Sequence, residues 1–198
     1  MSLKSTLALA ALALAAGTAS AGTIPYSGSG QNPTTYSFTA SATGDVIAYY
    51  AVVSGAAYTE DLGLLVNGVD TGIHGLSNHS TAVGTALDFG SVDAGDTLTF
   101  FIRVANTGHT YYSDPALNAD GHVNHVYSTA WAGDALVPAG TYVGFEDLDG
   151  GGDFNYADEQ FVFTNVSTST PAVPEPANGA LLAAGLGLMG WVARRRAR

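Results

Sequence analysis

Cysteine is absent from the sequence, which removes disulfides, thiolate metal sites and cysteine nucleophiles together. Basic residues are nearly as scarce. Of the six Lys and Arg, Lys4 lies near the start and Arg194, Arg195, Arg196 and Arg198 at the end, so Arg103 is the one cation between Gly22 and Val173. That stretch holds sixteen of the seventeen acids, Glu175 being outside it, for a formal charge of 1 − 16 = −15. Such a body lacks the Lys and Arg contacts that phosphate backbones and anionic lipid require, which excludes nucleic acid as a partner. Its field concentrates divalent cations instead.

Catalytic signatures are missing as well. The chain has no Gly-x-Ser-x-Gly elbow, His-Glu-x-x-His pair, phosphate loop or dinucleotide glycine motif, and Gly150 to Gly152 cannot cradle a phosphate because no Lys follows and the neighbours are carboxylates. His122 and His125 stand near Asp120, but residues three apart on a strand point to opposite faces. His74 and His79 sit in loop composition. A carboxylate pair such as Glu146 with Asp158 could serve a glycosidase only if one carboxyl were held neutral in an apolar pocket; six acids in one polar loop share a cation more readily. The expectation is therefore a non-catalytic protein, with a polysaccharide-acting enzyme as one alternative. The ten tyrosines supply the other, a carbohydrate-binding module whose rings stack on sugars, although tyrosine is also an ordinary strand residue.

What is present is strand pattern. Thr34 to Ala40 alternates with Tyr36 and Phe38 on one face, Val46 to Val53 is continuously apolar, and Asn67-Gly68 between Gly63–Val66 and Val69–Ile73 suits a type I′ hairpin. Ala82 to Phe89 reads as a strand, Val92 to Asp96 as a turn, and Thr97 to Ala105 as the strongest strand. Asn106 to Gly121 reads as loop, and Val123 to Trp131 as β again. Eight or nine such strands with no amphipathic helix and no fixed repeat predict an all-β fold. The expected architecture is an antiparallel β-sandwich of jelly-roll type over residues 22–166, with a barrel as runner-up. A Ser, Thr and Pro-rich linker is expected over 167–173.

The stretch from Gly144 to Phe163 comes closest to chemistry. Glu146, Asp147, Asp149, Asp153, Asp158 and Glu159 fall there with no Lys or Arg among them. Counted from Asp147 as position 1, Asp149, Gly152, Asn155 and Asp158 take positions 3, 6, 9 and 12 of a calcium-loop spacing. Position 5 is Gly151, and position 12 is Asp rather than the usual Glu. β-branched and aromatic flanks make this a loop between two strands, in a hairpin over 141–164. The expectation is Ca2+ held by Asp147, Asp149, Asp153, Asn155 and Asp158; the bland alternative is a solvated acidic turn with glycines for positive φ. Glu146-Asp147-Leu148, Gly151-Gly152-Asp153, Tyr156 and Asp158 resemble the signature near the end of the exported bacterial domain DUF4114. Asn155 and Ala157 depart from it, where that domain prefers Asp and Asn.

The two ends carry an address. Residues 1–21 read as a secretory signal peptide: Lys4, the apolar run Leu7 to Ala16, and the small-x-small site Ala19 to Ala21. At the other end, Pro174, Glu175 and Pro176 precede an apolar run over 177–193 and then Arg194, Arg195 and Arg196. Seventeen helical residues at about 1.5 Å each make roughly 25 Å, enough for a short transmembrane helix. The arginines place its C-terminal end in the cytoplasm.

This tail, 174–198, resembles a PEP-CTERM sorting signal. The resemblance implies export, for which the Sec machinery is the expected route, a transient inner-membrane tether and processing by an exosortase. Delivery to the cell envelope or extracellular matrix of a Gram-negative bacterium follows, where adhesion or a part in an exopolysaccharide biofilm matrix is the expected role.

Overall fold

In a computed structural model of the chain, residues 24–171 are described. The expected signal peptide, 1–21, and the sorting tail, 174–198, with its helix at 177–193, lie outside the described residues. The described part is the predicted antiparallel sandwich. One sheet joins β1 (Ser37–Ala40), β3 (Glu60–Val66), β4 (Val69–Gly75), β6 (Thr97–Val104) and β11 (Val166–Ser169) in the order β11-β1-β6-β3-β4, with the short β7 (Thr110–Tyr112) also on β6. The other joins β2 (Gly44–Tyr50), β5 (Ala86–Val92), β8 (Val126–Trp131), β9 (Gly140–Phe145) and β10 (Glu159–Thr164) in the order β5-β2-β10-β9-β8. Every pairing is antiparallel. The chain changes sheet between β1 and β2, β2 and β3, β4 and β5, β5 and β6, β7 and β8, and β10 and β11. This repeated crossing makes the sandwich jelly-roll-like.

Side-chain alternation builds the core. Leu98, Phe100, Ile102 and Val104 of β6, with Leu62 and Leu64 of β3, face Val46, Ala48 and Tyr50 of β2 and Phe161 and Phe163 of β10. Burying each of the larger of these is worth about 1.5–3 kcal/mol, and in a chain without disulfides that term carries the fold. The second sheet is also covered on its outer face by Ala51, Trp131, Val137, Tyr142 and Val162. Both faces of β9 and β10 are therefore buried, so their sequences run apolar without alternation, as strands covered on both sides do.

The Asn67-Gly68 hairpin forms as its sequence requires. Val66 pairs with Val69, and both loop residues take positive φ, +51° and +79°, the type I′ geometry. Arg103 lies opposite Asp61 across β6 and β3 and grips it with two hydrogen bonds, Nε to Oδ1 at 2.9 Å and Nη2 to Oδ2 at 2.6 Å.

Several boundaries differ from the sequence expectation, and eleven strands form among the described residues where eight or nine are expected. The strand expected over 82–89 is Ala86–Val92, and the first begins at Ser37. β7 lies inside the stretch expected as loop; its three residues complete the edge of β6 beside β1. β11 runs to Ser169, into the stretch expected as linker, because Ser37 to Ala40 pair with Ser169 to Val166 through the backbone. An edge strand of Ser and Thr needs no hydrophobic alternation.

Candidate functional site

The carboxylates converge at one end of the sandwich, where β9 runs into β10 and β3 begins. Glu146, Asp147 and Asp158 each bring an oxygen within 4.8 Å of the others. Glu146 is fixed at the backbone by His125: its N–H donates to the His125 carbonyl (3.0 Å), and His125 Nδ1 donates to the Glu146 carbonyl (2.8 Å). The Asp147 N–H donates to Asp158 Oδ2 (3.0 Å), and the Tyr156 N–H to Glu146 Oε2 (3.3 Å). The chain then folds closely over the cluster at Gly152 (φ +49°), where a Cβ would lie 2.8 Å from Glu146 Oε1. Any larger residue would strike the carboxylate.

Two further acids reach this end from the strands. Glu60 opens β3 in phase with the inward Leu62 and Leu64, and Glu159 opens β10 in phase with Phe161 and Phe163. The Glu60 carboxyl lies within reach of the Asp147 charge and accepts from Asn78 Nδ2; its Oε1 has no hydrogen-bond partner. Neither oxygen of Glu159 has one, the backbone N–H of Asn78 lying near without completing a hydrogen bond. The glutamates of the acidic body are Glu60, Glu146 and Glu159, and all are buried here, at 1%, 1% and 0% exposure. Its aspartates, Asp147 excepted, are exposed or half-buried. The body's three long carboxylates thus all gather at this spot, beside the shorter Asp147 and Asp158.

Of the five residues expected to hold Ca2+, the structure brings Asp147 and Asp158 together and places the others apart. A single helical turn over Asp149–Gly151 swings Asp149 outward, where its Oδ1 accepts from the Tyr111 hydroxyl (2.9 Å) and lies 3.1 Å from His109 Nδ1. Asp153 is exposed and closes a local turn with Asn155, accepting from its N–H and Nδ2 (3.1 and 2.9 Å). Asn155 Oδ1 accepts from the Ala157 N–H (2.7 Å). Glu60 escapes a reading based on spacing within one loop. Its one signal is a carboxylate in the inward phase of a strand. His125, paired in sequence with His122, instead meets Asp120 through Nε2 (2.9 Å) and stacks on Tyr111 (4.0 Å between centroids). Asp120 in turn accepts from the Gly150 N–H (2.8 Å) and ties down the loop.

Burial sets the electrostatics. It pushes the Glu60 carboxyl up to about 9, helped by contact with Asp147 and by the Asp158 charge. Glu146 is also pushed up to about 9, by burial first and then by Asp158. Burial likewise raises Asp158 and, with Glu60 and Asp61 nearby, raises Glu159 well above the carboxylate range. The metal-free fold therefore holds protons that the unfolded chain, with carboxyls near about 4.3, releases. Stability from these groups is complete at low pH and is lost as pH rises toward about 9. Thermal melts in chelator are expected to fall by several degrees from about pH 5 to about pH 9; a flat or rising melting temperature would contradict the burial of these acids.

Comparison with known proteins addresses the tail. Residues 172–196 match the PEP-CTERM protein-sorting motif. The motif implies an exported protein sorted by an exosortase, passing through a membrane-anchored precursor in a Gram-negative bacterium. It carries Pro174, Glu175, Pro176, Arg194, Arg195 and Arg196, all outside the described residues. No curated protein and no solved structure matches the chain. Among the described residues no helix is long and apolar enough to cross a membrane.

Proposed function

We propose that the chain is a non-catalytic surface or extracellular-matrix protein, delivered by its sorting tail, that acts in adhesion or in an exopolysaccharide matrix. Its β-sandwich takes up calcium at the acidic end after export by the Sec route. The observation that carries this reading is the sorting motif joined to a body of charge −15 whose buried acids have no basic side-chain partner among the described residues, the His125 ring being paired with the half-buried Asp120. Extracellular calcium modules bind at about 10⁻⁴ to 10⁻³ M, so environmental calcium suffices to fill such a site. The resemblance of the β9–β10 hairpin to DUF4114 agrees with an exported setting.

Two features weigh against the alternatives. A glycosidase holds its carboxyls roughly 5–9.5 Å apart around a sugar, whereas Glu146 and Asp158 bring oxygens within 4.8 Å of each other and Glu146 is buried, with the chain at Gly152 closed over its carboxylate. A sugar-stacking platform needs exposed rings, and each of the ten tyrosines is buried or half-buried.

The test is mass spectrometry of the protein from its native host after fractionation. The expected result is a mature chain outside the inner membrane that begins near Gly22 and ends near Pro174 to Pro176. Replacing Pro174, Glu175 and Pro176 by alanine is expected to leave the precursor in the membrane. An intact chain in the cytosol would overturn the reading.

A further inference from the structure

We propose that the cation site is a clamp between the two sheets: a single calcium ion held by Glu60 of one sheet, Glu159 of the other, and Glu146, Asp147 and Asp158 of the loop. The inference rests on the calcium reading above and changes what calcium does there, from stiffening one loop to locking the sandwich shut at one end.

Three observations carry it independently of loop spacing. First, Glu60 and Glu159 enter from opposite sheets, each in the inward phase of its strand, yet sit where an apolar residue would complete the core. Second, Glu60 Oε1 and both Glu159 oxygens are buried without a partner. A buried carboxylate is costly unless paired or bound to metal, and the single Arg of the body is committed to Asp61. Third, the Asp147 charge bears on both Glu60 and Glu159, which places the strand acids beside the cluster of Glu146, Asp147 and Asp158.

The donor set selects the ion. Carboxylate oxygens suit hard cations, and calcium accepts six to eight of them in flexible geometry, whereas magnesium keeps several waters and strict octahedral order. A pocket whose glutamates are fully enclosed leaves little room for that water. Transition metals would call for nitrogen or sulfur; the chain has no cysteine, and both ring nitrogens of the adjacent His125 already meet oxygen atoms.

The experiment uses the full chain in detergent, with terbium excited through tyrosine as the binding probe, calcium as competitor, and melting in calcium against chelator as the second readout. Glu60→Gln and Glu159→Gln are each expected to weaken terbium binding about tenfold or more and to remove most of the calcium-induced rise in melting temperature. In chelator both should melt no lower than the parent chain, because an amide is neutral without the proton uptake that the buried carboxyl requires, which shows that they fold. Asp153→Asn should bind as the parent does.

Hydrogen exchange on the unaltered chain removes dependence on any variant: calcium should slow the amides of Glu60 to Leu62 in β3 as well as those between Asp147 and Asp158. Protection confined to the loop, or binding lost in Asp153→Asn and kept in both Glu variants, would overturn the clamp while leaving calcium binding in place. No terbium signal and no calcium shift in the parent chain would overturn both.

Discussion

Phe163→Ala is expected to lower the unfolding free energy by about 3–5 kcal/mol. Phe163 is fully buried on β10, between β2 and β9, and its ring stacks on Phe100 of β6 at 3.8 Å between centroids and 22° between planes. These strands belong to different sheets, so the pair is a direct bond of the sandwich. Phe161 and Phe38 crowd its ends, the first 6.1 Å from Phe163 and the second 5.2 Å from Phe100. They are held by their own strands, which prevents collapse into the space left and keeps the cost toward the upper end. The Arg103–Asp61 pair gives the contrast: it is half-exposed and worth less than about 1 kcal/mol, although it holds the one Arg of the body. Urea denaturation of both variants decides the order. A loss at Phe163 smaller than that at Arg103→Gln would mean that charge, not ring packing, holds the sheets together.

The sandwich was legible because its strands obey local rules. Leu98, Phe100, Ile102 and Val104 alternate, Asn67-Gly68 turns where Asn-Gly should, and the runs flanking the acidic loop are strands β9 and β10. Polar edges were not legible: β11 is held by backbone pairing to β1, and nothing in Val166 to Ser169 signals that register.

The site divides in the same way. Local spacing brought Asp147 and Asp158 into view because both stand at the mouth of one hairpin, but the fate of Asp149 depends on Tyr111, thirty-eight positions away, and that of Glu60 on Asp147 across the sheets. Calcium-loop spacing presumes that one loop supplies all the ligands. Here the glycines serve a different end: they let the chain turn at Gly150 and close over Glu146 at Gly152. A pattern can match while the reason for each residue changes.

Gly144→Ala is expected to destabilise by about 1–3 kcal/mol or more, against the usual sign for a strand, where replacing glycine by alanine gains about 0.5–1 kcal/mol. Gly144 pairs with Tyr127 of β8 and Gln160 of β10, and a Cβ there would drive into the backbone carbonyl of Tyr156 and lie 3.2 Å from the Tyr142 hydroxyl. Tyr156 cannot retreat. Its hydroxyl accepts from the Asn32 N–H (2.7 Å) and donates to the Asn124 carbonyl (3.3 Å), its N–H is given to Glu146, and its φ is already +54°. Displacing it moves the Glu146 carboxylate, so the calcium-induced rise in melting temperature should shrink along with stability. Gly68→Ala, with nothing within 4 Å of its added methyl but φ at +79°, separates the two causes: it should cost about 1 kcal/mol from backbone strain alone and leave the calcium response whole. If Gly144→Ala proves as stable as the parent, the close passage of the loop over β9 is not what positions Glu146.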